Sequence, residues 1–299
     1  MTLEQLRIFI AVAEREHVTR AAGALGLTQS AVSSAIAALE AQHDTRLFNR
    51  VGRHIELTAA GREFLDEARG VLARAHAAEL VLSELGTLGR GRLNVHASQT
   101  IASYWLPARL VRFREAYPVR EVRLAAGNTE TVSNAVLDGS ADLGFVEGKV
   151  RAPALAAIEI GGDHLVLVVG ASHPLAKRRK VDLADLAAAS WVVREPGSGT
   201  RSEMEAALMA MKLPIHARDF ALELPSNEAV RAAVEADAGV AGLSELVAAQ
   251  GLQAGTLRRL DIDMPRRPFL ALRHKERRLS KAGEALLTLC RDGKSPRRR

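Results

Sequence analysis

The stretch "VTRAAGALGLTQSAVSSAIAALE", Val18 to Glu40, decides how the first part of this chain folds. Thr19 is placed to cap a short helix running through Leu25. Gly26 stands where a helix ends on a left-handed residue, and Thr28 then offers a second cap. Beyond it Val32, Ile36 and Leu39 recur at the spacing of one apolar helical face. Two short helices joined by a tight glycine turn make a helix-turn-helix. The polar side of the second helix carries Gln29, Ser30, Ser33 and Ser34, interleaved with alanines. Slim side chains permit close approach to a major groove, and amides and hydroxyls meet base edges and phosphates. The free N–H groups at the helix start, around Thr28, Gln29 and Ser30, also favour a phosphate. A plain helical hairpin with a solvated polar face has the same composition, so these residues alone leave both readings open.

Next comes "TRLFNRVGRHIELT", Thr45 to Thr58, which reads as a small hairpin turning at Val51-Gly52-Arg53. It gathers Arg46, Arg50, Arg53 and His54. A basic hairpin after the second helix suits a wing that touches phosphates or a minor groove. The pattern then changes. Phe64, Ala68, Val71, Ala75, Ala78, Leu82 and Leu85 fall 4, 3, 4, 3, 4 and 3 residues apart, a heptad seam of about three heptads on one long helix. The seam packs either on its own chain or on a second copy. A symmetric dimer is the preferred reading, because it supplies two equivalent heads. "GTLGRGR", Gly86 to Arg92, ends the helix as a hinge.

From there short apolar runs alternate with helical segments. "RLNVHA" (92–97), "EVRLAAGN" (121–128), "ADLGFVEG" (141–148) and "HLVLVVG" (164–170) read as strands, as do "SWVVRE", "DFALEL", "GVAGLS" and "RPFLALRHK" further on. Strand-then-helix order indicates a parallel sheet with helices on both faces, in two Rossmann-like subdomains. Ligands of such sheets sit at strand C-termini, beside helix N-termini. Hydroxyl or amide residues recur at that place: Ser98, Gln99 and Thr100, then Asn128 and Thr129, then Ser198 and Thr200, then Ser226 and Asn227. Any one of them is explained as an ordinary helix cap. Together they outline a cleft that holds a small anion on helix N-termini and short polar side chains. Around "REPGSGTR" (194–201), Ser198 and Thr200 are the foremost ligand candidates, Arg194 faces the cleft, and Arg201 reads as a solvated first-turn residue.

The first region resembles the LysR-type transcriptional regulators. The matching residues are Ala21-Ala22, Leu25, Gln29-Ser30, Val32-Ser33, Leu39-Glu40, Leu47-Phe48, Arg50, Leu57-Thr58 and Gly61. One departure is His43-Asp44, where the family carries leucine and glycine; it predicts a differently shaped end to the second helix. The resemblance implies that Thr28, Gln29, Ser30, Ser33 and Ser34 meet bases or nearby phosphates of double-stranded DNA, with Arg50 and Arg53 on the backbone. From about 92 to 292 the chain is similar to the family's effector domain, which has the fold of type II periplasmic binding proteins. "ADLGFVEG", "HPLA" and "SGTR" resemble a branch that includes regulators of sulfur assimilation, sulfite response and carbon fixation. In the sulfur regulators the matching positions, here Ser98, Gln99, Thr100, Ser198 and Thr200, hold sulfate-like anions.

The expected layout is therefore a winged helix-turn-helix over 1–58 and a dimerisation helix over 59–89. An effector domain follows over 90–292, and the basic tail is 293–299. Within the effector domain the first subdomain spans about 92–163 and 268–292, and the second about 164–267. The chain has 299 residues, 47% of them apolar and 25% charged, with net charge +6 and an isoelectric point near 9.9. That balance fits a polyanion partner. The start "MTLEQLRIFI" lacks the pattern of a secretion signal, no run has the length of a membrane span, and Cys290 stands alone, so a reducing cytoplasm is expected. Cys290, in "ALLTLC", reads as a buried small hydrophobe. No cofactor or metal is expected: "GSG" (197–199) is not a nucleophile elbow, "GKS" (293–295) lacks the first glycine of a phosphate loop, and the histidines have no ligand spacing. His173, before Pro174, reads as a loop residue, and Asp142 and Glu147, on one strand, do not form a carboxylate pair. The expected protein is a transcription regulator that binds a small, sulfate- or sulfite-like effector, and works as a homodimer and homotetramer. The alternative is a small-molecule binding module whose head serves protein partners and not DNA.

Overall fold

The computed structural model describes residues 1–51, 54–85, 92–118, 121–216 and 219–292. Gly52, Arg53, the hinge residues 86–91 and the tail 293–299 lie outside the described residues, as do the side chains of Arg50, His54, Leu82 and Leu85. The chain divides into two compact units, with the boundary after residue 86.

In the first unit, α1 (Leu3–Arg15) opens on a reciprocal cap: the Thr2 hydroxyl accepts from the Gln5 N–H and the Gln5 side chain accepts from the Thr2 N–H. Helix α2 runs Val18–Leu25 and ends on Gly26 at φ 67°, the left-handed residue a glycine adopts without strain. The residue before α2 is His17, which makes no side-chain cap, so Thr19 is not the cap expected of it. Thr19 lies inside the helix and its hydroxyl donates to the Gln29 side chain, 3.1 Å away. Thr28 caps α3 (Gln29–Gln42) as expected, its hydroxyl accepting from the Ala31 N–H. The α2 and α3 axes meet at 108°, within the range of a helix-turn-helix. Val32, Ile36 and Leu39 turn inward onto Leu6, Phe9, Val12 and Ala21. Strands β1 (Phe48–Val51) and β2 (His54–Leu57) pair antiparallel, Val51 opposite His54, which gives the expected wing. Asp44 adopts φ 46°. The backbone thus takes a left-handed residue after α3 without a glycine.

Helix α4 spans Ala59–Leu85. The first part of its heptad seam is covered by its own head: Ala68 is buried, and Phe64, Leu65 and Leu72 pack on the same core. Assigning Phe64 and Ala68 to a partner helix was therefore wrong. Phe64 stacks 5.0 Å from Phe9, because α1 leaves an aromatic face that needs cover. The seam left open begins at Val71, which is 40% exposed.

In the second unit, β3 (Arg92–Ser98), β4 (Glu121–Gly127) and β5 (Leu143–Glu147) pair parallel in the order β4-β3-β5. After β3 comes a turn of π-helix, Ile101–Trp105, then α5 (Leu106–Ala116); α6 (Thr129–Asp138) follows β4. The all-parallel sheet fails at β6 (Leu155–Gly170) and β11 (Arg266–His274), two long strands that pair antiparallel with each other. Residues 155–164 of β6 pair with β11, whose other edge pairs with β5, in the first subdomain. Residues 165–170 pair with β9 (Ala241–Ser244) and β10 (Leu257–Arg259) in the second. The second subdomain adds β7 (Trp191–Arg194), parallel to β8 (Phe220–Leu224), with helices α7 (Leu183–Ala187), α8 (Gly199–Ala210), α9 (Asn227–Glu235) and α10 (Glu245–Ala254). Alternate residues of β6 fill opposite cores, Leu165 and Leu167 with Trp191 and Leu208, and Val166 and Val168 with Val230 and Leu243. This is the period-2 pattern of a strand buried on both faces. Helix α11 (Lys281–Asp292) returns to the first subdomain, where Leu286 and Cys290 join Phe113, Phe145 and Phe269.

Candidate functional site

In the head, Thr28, Gln29, Ser30 and Ser34 are exposed and Ser33 is half-buried. Thr28 and Ser30 hydroxyls lie 3.1 Å apart at the helix start. The wing is fixed to α3 by one carboxylate: Glu40 Oε1 accepts from the N–H groups of Leu47 (2.7 Å) and Phe48 (3.0 Å). Thr58 closes the other end, donating to the Arg46 carbonyl oxygen. Gly61 passes so near that an added Cβ would lie 2.1 Å from the Leu47 carbonyl oxygen. These contacts explain why Glu40, Thr58 and Gly61 matter to the head although none need touch DNA.

The second unit brings most of the expected cleft residues together and shows what each is bonded to. Ser98, Thr100, Thr129, Ser198, Thr200 and Asn227 are all buried. Ser98 donates to the Glu147 carboxylate. Thr200 donates to Glu147 Oε1 at 3.4 Å and accepts from Arg267 Nη1 at 3.0 Å. Thr129 donates to the Glu147 carbonyl oxygen at 2.6 Å. Across the two subdomains, Asn227 donates to the Thr100 hydroxyl (3.0 Å), and its backbone N–H to the Gln99 side chain (2.9 Å). Asn128 reaches Glu195 at 3.2 Å. Ser198 behaves as the cap of α8, accepting from the Arg201 N–H.

Three charged residues at the centre were not singled out from sequence as cleft members: Glu147, Asp163 and Arg267. Arg267 and Asp163 face each other across β11 and β6. The guanidinium forks onto the carboxylate at 2.6 and 2.9 Å, and Glu147 Oε1 lies 3.7 Å from Nη1. Ser244 donates to the same Asp163. Burial would lower the Arg267 pKa, but the Glu147 charge and the bonds to Asp163 outweigh it and hold it above the ordinary value. Arg194 faces the cleft as expected. It is buried, pairs with Glu195 at 2.7 and 2.8 Å, and donates to the Asn227 side chain. Arg201 is not the solvated residue expected. It binds the Arg194 carbonyl oxygen (2.8 Å), Glu205 (2.8 Å) and Glu223 (2.6 Å), with its guanidinium over Phe220. His173 is a turn residue whose Nδ1 accepts from the Leu175 N–H. Asp142 and Glu147 stay apart: Asp142 accepts from the Asn94 N–H. Burial pushes the Cys290 thiol up to about 12, with Arg109 opposing weakly.

A winged helix-turn-helix joined to a two-subdomain domain with a polar cleft defines a DNA-binding regulator that responds to a small ligand. Residues 3–62 match the bacterial regulatory helix-turn-helix family of LysR proteins, and residues 86–295 match the LysR substrate binding domain. The chain belongs to the LysR family of transcriptional regulators; it is a regulator and not an enzyme. It is 36% identical over 299 residues to the regulator YeiE of Escherichia coli, covering 99% of both chains. It is 32% identical over 289 residues to a probable RuBisCO transcriptional regulator of Trichormus variabilis, covering 95% of this chain and 86% of that one. CbnR in complex with its target DNA shares the fold, with a TM-score of 0.66, 24% identity and coverage of 97% and 99%. The regulatory domain of Synechocystis CcmR, solved with 2-PG, aligns with a TM-score of 0.61 and 27% identity over 67% of this chain and 96% of that one. Membership settles the choice left open by the sequence: the head is a DNA-binding domain, and the second unit an effector-binding one.

Proposed function

We propose that the effector is a small oxyanion of the sulfate or sulfite class, held between the two subdomains by Ser98, Thr100, Ser198 and Thr200, with Gln99, Asn128, Thr129 and Asn227 around it. One observation carries this reading. The Ser98 and Thr200 hydroxyls already converge on an oxyanion, the chain's own Glu147 carboxylate. The N-termini of α8 and α9 lie at the same cleft, at Thr200 and Asn227. CcmR, solved with 2-PG, is a relative with an anion-bearing ligand.

The internal carboxylate adds a condition. Glu147 and Asp163 carry two negative charges against the single positive charge of Arg267. A second anion beside Glu147 takes the Ser98 and Thr200 hydroxyls from it, and the two negative charges repel. Glu147→Gln removes one of those charges, so calorimetry with sulfite and with sulfate should show tighter binding to the variant than to the parent. Weaker binding to Glu147→Gln would remove the Glu147 link, and no binding of either ion to the parent would remove the anion class.

The seam residues Val71 and Ala78, exposed on the single chain, with Ala75 half-buried between them, support dimerisation through this helix, with a homotetramer as the larger assembly. The head then reads DNA through Thr28, Gln29, Ser30, Ser33 and Ser34, with Arg50 and Arg53 on phosphates.

A further inference from the structure

We propose that this protein has a second ligand site, separate from the Glu147 cleft, which takes a hydroxylated organic acid through its oxyanion group. The site is a cavity of about 520 Å³ between α6, the loop after β5 and the start of α8. That volume lies in the range of small-molecule pockets and far exceeds a bare inorganic anion. A close backbone contact divides it from the cleft. A Cβ added at Gly199 would lie 2.1 Å from the Glu147 carbonyl oxygen, and one added at Gly148 would lie 3.2 Å from the Gly199 Cα. Ser198 and Thr129 stand at the boundary and line the cavity as well, whereas Ser98, Thr100, Glu147, Thr200, Asn227 and Arg267 do not.

The chemistry of the walls selects the ligand. Arg201 is already bonded to Glu205 and Glu223. Lys149 and Arg151 line the cavity, are exposed, and make no ion pair or side-chain hydrogen bond with the described residues. The Glu130 carboxylate likewise has no partner among them. The uncommitted charge is two cations against one anion, net positive by one. A carboxylate or phosphate group fits between Lys149 and Arg151. A hydroxyl on the ligand donates to Glu130, and the carbon chain rests on Leu137, Val150 and Ala152. The first subdomain supplies α6 and the loop, and the second supplies Pro196 to Glu205. A ligand here therefore favours one arrangement of the subdomains from a place outside the Glu147 cleft.

Titration calorimetry of the full chain with malate, glycerol 3-phosphate and inorganic phosphate tests the site. Malate or glycerol 3-phosphate binds saturably, and which one does so identifies the headgroup; inorganic phosphate binds more weakly. The Lys149→Ala/Arg151→Ala double variant weakens that binding by at least about tenfold. Both residues are exposed, so the fold is retained, and the single Lys149→Glu reversal provides an independent loss of the same signal. Thr200→Val, which damages the cleft, leaves the affinity within about twofold. Loss of organic-acid binding in Thr200→Val, with retention in the double variant, would place the ligand in the cleft and overturn the proposal. So would no saturable binding of malate or glycerol 3-phosphate up to about 10 mM. Sulfite binding by the double variant reports separately on the cleft.

Discussion

Individual residues carry the electrostatics of the cleft, and Arg267 carries most of it. It is fully buried and is the only cation bonded to Asp163 and Glu147 among the described residues. Arg267→Met leaves two buried carboxylates without a counter-charge, and removing one partner of such a pair costs about 3–5 kcal/mol. Urea unfolding of the second unit's transition measures this; a change under about 1 kcal/mol would show that the network relaxes or takes up water. Thr200→Val unpairs one Arg267 N–H and one Glu147 contact, for a loss of about 1–3 kcal/mol. It abolishes the effector response while DNA binding at the operator persists, whereas Thr200→Ser keeps both. Cys290 tests burial in another way. With its thiol pushed up to about 12, it stays protonated near neutral pH, so iodoacetamide labels it only on unfolding. The hydroxyl residues of the cleft were legible from sequence because each follows a strand and caps a helix, a local pattern. Glu147, Asp163 and Arg267 were not. They lie up to 120 residues apart (Glu147 to Arg267), and only the pairing of β6 with β11 brings Arg267 onto Asp163.

At the level of elements, the wing is the part most sensitive to single changes. Its first strand hangs from Glu40 by two N–H donors, and bonds to a charged acceptor contribute about 1.5–3 kcal/mol each. Glu40→Ala therefore lowers the head's melting temperature and weakens operator binding, while Glu40→Gln, which keeps the acceptor oxygen, retains more of both. Equal behaviour of the two variants would mean that the wing is held elsewhere. Gly61→Ala forces a Cβ against the Leu47 carbonyl; backbone on both sides leaves no flexible atom to yield, so this change destabilises by about 1–3 kcal/mol or more. The helix-turn-helix was legible because Gly26, Thr28 and the Val32-Ile36-Leu39 face are short-range signals. Thr19 misled because a hydroxyl near a helix start looks like a cap whether or not it is one, and here the chain enters α2 at Val18. In α4 the apolar spacing is plain from Phe64 to Ala78, while the side chains of Leu82 and Leu85 lie outside the described residues. Periodicity says which residues share a face but not what covers them, and Phe9 claims Phe64 first.

For the molecule as a whole, the strand-helix alternation announced the layout, but the two long strands were not visible in it. Residues 155–163 of β6 contain Gly161 and Gly162 and mixed polarity, so only 164–170 read as a strand. Yet β6 runs through both subdomains, and its antiparallel pairing with β11 carries the Asp163–Arg267 pair. A ligand at Thr200, as proposed, therefore acts through Arg267 on β11 and its partner β6, and a differential contact of this kind is what coupling to a second function needs. The proposed dimer is the other whole-molecule property, and salt dependence of DNA binding tests it. Each phosphate neutralised by a cation contributes about −0.9 to the slope of log K against log salt. A head that holds about five phosphates gives a slope of about −4.5, and a dimer engaging two heads about −9. Val71 is exposed on the single chain, so Val71→Asp spares the fold of the head while placing a charge in the open seam. Gel-shift titrations over a range of potassium chloride should then show the slope of the variant falling to about half that of the parent, with sedimentation confirming the monomer. Equal slopes with an intact dimer would move the dimer contact off this seam; equal slopes from a proven monomer would mean that one head carries all the phosphate contacts.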